Sequence, residues 1–246
     1  MLRPLFSALT FLTRIPTPPI NFTKEDWEKS TAYYPIVGAI IGILLLIVAK
    51  GLHIILPETI TAFCIVVFWI YITGGLHLDG WMDLADGLGS SRTREQMLEI
   101  MKDSRVGAMG VIAAILLISG KMIVSYELIM QGFFIPFLLS PLFARFIILS
   151  AIKYWPYRKN GLGEGLGKHI THFTILFHFI WIILLTYYFA DYTGAIVIFG
   201  SALLNFLLLY NIYKKLGILT GDCYGAIIEW AELNFLFLFL IFERIL

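Results

Sequence analysis

Charge is scarce in this chain. Only 14% of its 246 residues are Asp, Glu, Lys or Arg, against about 25% in an ordinary soluble domain. Apolar residues make up 59%, and the mean hydropathy is +0.84. So little charge cannot cover a water-facing surface, which excludes a soluble globular fold. Cysteine is scarce too. Cys64 lies in an apolar run and Cys223 in a distant polar stretch, so neither a disulfide framework nor a zinc spacing is present. No Ser-His-Asp or Cys-His set marks a covalent nucleophile. No small-residue cleavage site follows the apolar run that ends at Arg14, so no signal peptide is expected. Internal repeats and low-complexity tails are also missing.

In their place stand seven apolar runs near the length of about 20 residues that a membrane helix needs. They cover residues 34–56, 59–78, 106–126, 128–152, 173–190, 192–213 and 226–246. Pro136 and Pro141 predict a kink or split in the fourth. Residues 5–13 read as a short interfacial helix. The expected fold is an all-α polytopic bundle of about seven spanning helices plus that N-terminal helix, one integral membrane catalytic domain over residues 1–246.

Cations divide unevenly between the two sides. Fourteen Lys and Arg fall in segments 1–33, 79–105, 153–172 and 214–225, against Lys50, Lys121 and Arg244 on the other side. That asymmetry predicts a cytoplasmic N-terminus in a cell membrane. The outer loops are short, whereas the inner ones are long and rich in Asp, Gly, His and Arg, so function is expected on the cytoplasmic side.

The densest inner stretch runs from Gly74-Gly75-Leu76-His77 to Gly87-Leu88-Gly89. Asp79, Asp83 and Asp86 stand at i, i+4 and i+7 and share one helix face. Three like charges this close repel without a counter-cation. Hard oxygen ligands at this spacing suit Mg²⁺ or Mn²⁺, which usually also bind substrate phosphates. His77 adjoins the cluster as a general base or an orienting group. Lys102, Asp103, Ser104 and Arg105 form a second candidate group, either a phosphate clamp or an interfacial anchor. Near the C-terminus, Asp222, Glu229 and Glu232 are ionisable groups at membrane depth, which are costly and functional by default. A structural pairing with Arg145 is the other reading of the two glutamates. The segment 160–169 is glycine-rich but departs from a Walker loop. It is read as a lid over an anion or as a plain flexible loop. Carboxylates for metal and cations for phosphate on one side point to phosphoryl transfer.

Several motifs then resemble a known family. They are Phe11-Leu12-Thr13-Arg14-Ile15-Pro16, Tyr34-Pro35-Ile36-Val37-Gly38, Thr73-Gly74-Gly75-Leu76-His77-Leu78-Asp79-Gly80, Asp83-Leu84-Ala85-Asp86-Gly87, Met101-Lys102-Asp103-Ser104-Arg105-Val106-Gly107, and Thr220-Gly221-Asp222 with Gly225-Ala226 and Glu229. In this order they look like the cobalamin synthases, the adenosylcobinamide-GDP ribazoletransferases. Trp81-Met82 stand where the family usually has Leu-Ala, and the carboxylate after them is kept.

The resemblance implies a Mg²⁺-dependent membrane transferase for the last nucleotide-loop step of cobalamin biosynthesis. It would join adenosylcobinamide-GDP to α-ribazole, or its 5′-phosphate, and release GMP. Asp79, Asp83 and Asp86 would hold metal. His77, Asp103, Lys102 and Arg105 are the catalytic candidates. Arg14, Ser104, Asp222, Glu229 and Glu232 are the substrate-binding candidates. The lipid bilayer is a partner, self-association is compatible with the pattern, and no nucleic acid is expected. A CDP-alcohol phosphotransferase fits less well, because the second half of its motif is missing. A cation transporter lacks a matching acidic path on the outer side.

Overall fold

The computed structural model describes residues 2–159, 161 and 163–245. Met1, Asn160, Leu162 and Leu246, which the expected domain, glycine-rich segment and last span include, lie outside the described residues. Among the described residues ten α-helices follow one another: α1 Leu2–Leu12, α2 Lys24–Ser30, α3 Tyr34–His53, α4 Glu58–Ile72, α5 Leu76–Gly89, α6 Arg94–Ile100, α7 Ala108–Met130, α8 Ile135–Tyr154, α9 His172–Leu216 and α10 Gly221–Ile245. No strand occurs among the described residues.

Among the described residues five helices, α3, α7, α8, α9 and α10, are long and apolar enough to cross a membrane. The pair α4 and α5 passes only jointly and bends by 89° at its break. The second span expected at 59–78 therefore stops at Ile72. Gly74 and Gly75, with φ of +66° and +71°, make the turn in the left-handed region that glycine enters freely. Past this bend the carboxylate-bearing α5 no longer continues the direction of α4.

The 45 residues of α9 would rise roughly 67 Å as one rod, over twice the bilayer core. They do not form one rod. Ala190 and Asp191 leave helical geometry, and a Cβ at Gly194 would lie 3.0 Å from the Thr186 carbonyl, eight residues back. Eight helical residues rise about 12 Å, so the chain has folded back as a hairpin. Both ends of α9 also meet the same segment. Tyr154 bonds His172 at 2.8 Å, and Leu219 N–H donates to the Pro156 carbonyl at 2.9 Å. With α9 as two arms and the α4–α5 pair as one broken span, the described residues give the expected seven passes.

The centre of the bundle is α8 and α10, whose apolar windows are 78% and 72% buried, against 33–39% for α3, α7 and α9. The outer helices turn large apolar side chains such as Ile47, Leu116, Leu184 and Tyr188 outward, as lipid contact requires. Gly38 and Gly42 on α3 face the backbone of α8 at Pro141 and Leu138, a small-xxx-small approach. The split expected as one alternative for α8 does not occur. Pro136 sits in the first turn, where no helical N–H is needed, and Pro141 lies inside one continuous helix. Lys121, expected near an outer loop, is instead buried within α7.

Candidate active site

The segments read as inner meet at one end of the bundle. Arg14 N–H donates to the Ile72 carbonyl at 2.7 Å. Thr31 donates to the Leu166 carbonyl at 2.8 Å. Arg94 reaches the Lys215 carbonyl at 3.3 Å. The α5 helix lies across this end, held by Trp81 Nε1, which donates to the Ala113 carbonyl of α7 at 3.0 Å.

Close packing brings Asp222 to the carboxylate face. A Cβ at Gly80 would stand 2.7 Å from the Asp222 carbonyl, and one at Gly225 3.1 Å from the His77 carbonyl. Only glycines let α5 and the start of α10 approach so nearly. Asp83 is half-buried between them. Burial first, then the charges of Asp79, Asp222 and Asp86, raise its pKa from 3.8 to about 7. Its charged form is unfavourable until a cation arrives.

Asp86 is placed differently from its two neighbours. Its Oδ2 accepts from Gly107 N–H at 2.7 Å and its Oδ1 from Gly110 N–H at 2.7 Å. These are unpaired donors at the start of α7. Gly107 supplies no side-chain cap, so Asp86 caps α7 from a neighbouring helix.

Glu229 and Glu232 point into the bundle. Lys121 Nζ donates to both at 2.5 Å, Arg145 pairs with Glu232, and Arg145 Nη2 lies 3.2 Å from His77 Nδ1. The two acids and two bases balance, and all four side chains are at least nine-tenths buried. The structural pairing with Arg145 is present, and it reaches His77. Arginine has no acceptor, so His77 Nδ1 accepts and the proton of the neutral ring is on Nε2. Burial first, then the Arg145 charge, push the His77 pKa down to about 3. Nε2 is buried without a partner.

Beside His77 opens a cavity of about 140 Å³. Phe11, Trp27, Tyr34, Tyr157 and Tyr224 supply aromatic walls, with Asp79 and Asp222 also in the lining. Gly163 and Leu166 close one side, so the described part of the glycine-rich segment covers this cavity. It is fastened to α2 by Lys168 and His169, 3.0 and 3.4 Å from Glu28. A second groove carries Lys102, Arg158, Lys159 and again Asp222. Asp222 therefore stands where an aromatic cavity meets a cationic groove.

The remaining candidates lie at the rim. Arg105 forks onto Asp103, with Nε 3.0 Å from Oδ1 and Nη2 2.5 Å from Oδ2. That hydrogen bond lowers the Asp103 pKa to about 2. Ser104 and Lys102 are exposed. Arg14 packs over the Tyr71 ring at 5.6 Å and against the Gly74 turn. The sequence candidates did not include Arg158, Lys159 or the aromatic walls. The run Tyr157-Arg158-Lys159 before a glycine-rich stretch was the available signal.

Among the described residues no three His, Cys, Asp or Glu side chains form a ready metal cage. Mg²⁺ does not need one, because it usually takes one or two carboxylates, waters and substrate phosphates. Asp79 and Asp83, mutually repelling and free of the cap that engages Asp86, have the donor chemistry such an ion requires.

The family model for cobalamin-5-phosphate synthase matches residues 4–240. A Brevibacillus brevis protein called adenosylcobinamide-GDP ribazoletransferase is 44% identical over 227 residues, 92% of each chain. Proteins of that name from Desulfitobacterium hafniense and Clostridium botulinum are 39% and 34% identical, covering 96% and 94% of this chain and 95% of their own. No solved structure matches.

Proposed function

This chain belongs to the cobalamin-5-phosphate synthase family, and on that premise we propose that it is a membrane-bound adenosylcobinamide-GDP ribazoletransferase. The observation that carries the reading is Asp222 at the junction of an acidic helix face, a cationic groove and an aromatic cavity. A diphosphate donor and a hydroxyl acceptor need such a junction. Phosphoryl transfer rests mainly on positioning and on neutralising charge.

Asp79 and Asp83 would hold Mg²⁺, with Mn²⁺ as a substitute, and the bound ion would neutralise charge on the diphosphate. Lys102, Arg158 and Lys159 line the groove for the phosphates of the donor and the departing GMP. Arg14 and Arg105 add positive charge at the rim. The ribose 3′-hydroxyl oxygen of α-ribazole, or of its 5′-phosphate, bonds to the corrinoid-proximal phosphorus. The bond from that phosphorus to the bridging oxygen breaks, and GMP leaves with the oxygen. The hydroxyl proton passes to Asp222. Asp103 serves by orienting Arg105, since a carboxyl near pKa 2 is a poor proton acceptor at neutral pH. The same argument makes His77, with a pKa near 3, an orienting group. Glu229 and Glu232 hold Lys121 and Arg145, and through Arg145 the ring of His77. The working end faces the cytoplasm, in keeping with the cation asymmetry.

The deciding experiment mixes the purified protein in lipid with adenosylcobinamide-GDP, α-ribazole and Mg²⁺. GMP and cobalamin are expected in equal amounts. Corrinoid left unchanged by protein that is folded and metal-loaded would refute the assignment.

A further inference from the structure

We propose that Tyr157 is a further catalytic residue, whose phenol hydroxyl donates a hydrogen bond to a phosphate oxygen of the diphosphate donor. The proposal rests on the function assigned above and deepens it.

Position comes first. Tyr157, Gly221 and Asp222 are the residues that line both the aromatic cavity and the cationic groove. Tyr157 is therefore part of the wall on which the two spaces meet. Three contacts fix it there. Its backbone lies between two bonds to Leu219: Leu219 N–H to the Pro156 carbonyl and Arg158 N–H to the Leu219 carbonyl, both at 2.9 Å. Its ring stacks on Tyr224 with centroids 5.4 Å apart. The backbone of the glycine-rich segment packs against the same ring, where a Cβ at Gly161 or Gly163 would come within 2.9 or 2.7 Å of ring atoms. Side chains at those two positions would push the segment off the ring.

Hydrogen bonding comes next. The Tyr157 oxygen accepts from Gly163 N–H at 2.9 Å, and Gly221 N–H also faces that oxygen. A phenol has one proton to give, and it cannot point at N–H donors. Among the described residues no acceptor stands within hydrogen-bond reach of it, so the proton is left for a ligand. Burial holds the pKa above the usual tyrosine value, and the proton stays on at neutral pH. Neighbouring hydroxyls are spent or hidden. Thr220 donates to Asp222 at 3.1 Å, and Tyr34 and Tyr224 are buried, whereas Tyr157 is half-buried.

Charge selects the acceptor. Lys102, Arg158 and Lys159 line the groove with Tyr157, and clustered cations draw phosphate. A neutral ribose hydroxyl gains nothing from those charges. A hydrogen bond to an anionic oxygen is about twice as strong as one to a neutral group. A donor fixed beforehand needs no reorganisation as charge shifts during transfer.

The test dialyses GDP with Mg²⁺, and separately α-ribazole, against the full-length protein in lipid nanodiscs. Tyr157→Phe keeps the ring and removes the hydroxyl. GDP should bind about tenfold more weakly, equal to about 1.4 kcal/mol, while α-ribazole binding and the melting temperature hold. The kcat/KM for adenosylcobinamide-GDP should fall by at least the same factor. A hydroxyl that only props the glycine-rich segment would weaken both ligands alike and lower the melting temperature. One that serves the ribose would weaken α-ribazole alone. Either result overturns the contact. Should Tyr157→Phe fail to fold, difluorotyrosine in place of Tyr157 keeps the shape and the accepting oxygen but loses its proton at lower pH. The ionisable neighbours Asp222, Cys223, Tyr34, Lys102, Arg158 and Lys159 are common to both proteins, so the difference isolates the phenol. GDP affinity should fall through that ionisation relative to the parent, and parallel profiles would overturn the contact. Turnover by the parent with unchanged GDP binding in Tyr157→Phe refutes the contact alone. Tenfold weaker GDP binding in the variant of a protein that never releases GMP keeps the contact and refutes the transferase reading.

Discussion

Two acidic groups in this protein receive opposite treatment. Glu229 and Glu232 lie deep in the bundle, and each has a cation within hydrogen-bond reach. Asp79, Asp83 and Asp222 lie at the end of the bundle and act on one another chiefly by repulsion, with Arg158 the cation that most offsets Asp222. Apolar surroundings tolerate charge only when it is paired, so the first group is complete as it stands. The second is incomplete until a cation and an anionic substrate arrive. Buried carboxylates in this fold therefore serve as scaffold, while frustrated ones mark chemistry. Asp86 belongs to the acidic face by spacing and to the scaffold by its bonds.

The contrast breaks most visibly at Glu232. Glu232→Ala leaves Arg145 buried without its counter-charge, which costs about 3–5 kcal/mol. Thermal unfolding in detergent should show a large loss of stability, and the paired change Arg145→Met with Glu232→Leu should recover most of it. If the single variant melts like the parent, the scaffold role is wrong.

Asp83→Asn should do the reverse. Activity should fall by about 100-fold or more, equal to roughly 2.7 kcal/mol of transition-state stabilisation, as measured by GMP release. Stability should hold or rise, because a repelled charge is gone. The pH dependence sharpens this point. A carboxyl raised from 3.8 to about 7 on folding binds a proton that the unfolded chain has released between those values. Without divalent cation, stability should therefore fall as pH rises from about 4 to 7. Added Mg²⁺ should flatten that slope, and Asp83→Asn should remove it. A slope unchanged in the variant would assign it to another group.

Asp86 tests the middle case. Asp86→Ala removes both acceptors from the start of α7, at about 1–2 kcal/mol, as for lost caps generally. Asp86→Asn keeps one acceptor and should lie between that variant and the parent. Metal affinity, read from the Mg²⁺ dependence of activity, should change less than in Asp83→Asn. A larger change in Asp86→Asn would return Asp86 to the ligand set.

The smallest structural effect belongs to Arg105→Ala. Its side chain is 87% exposed, and surface changes usually stay within about 0.5 kcal/mol. The melting temperature should hold while the KM for the diphosphate donor rises. No change in KM would leave Arg105 as a surface anchor.

Much of the molecule was legible without coordinates. Few charges and seven apolar runs sufficed for a helical membrane bundle, because lipid admits few other solutions. The break at Asp191 was legible too, since the flanking runs are each long enough to span. Less legible was the place where α4 ends, because Leu76 and Leu78 continue the apolar pattern past two glycines whose φ angles turn the chain. Lys121 read as a loop cation because nothing local shows that Glu229 and Glu232, more than 100 residues away, neutralise it.

By itself the sequence determined the bundle, the segments that share one end, and the common face of Asp79, Asp83 and Asp86. These follow from composition and from helical periodicity, which are local properties. Only the tertiary structure decided which carboxylates stay unpaired. It gave Asp86 to the start of α7, gave Glu229 and Glu232 to Lys121 and Arg145, and closed a cavity from residues as far apart as Phe11 and Ile228. The physical reason is that a charge is spent or left available by what packs against it, and those contacts join helices that lie far apart along the chain.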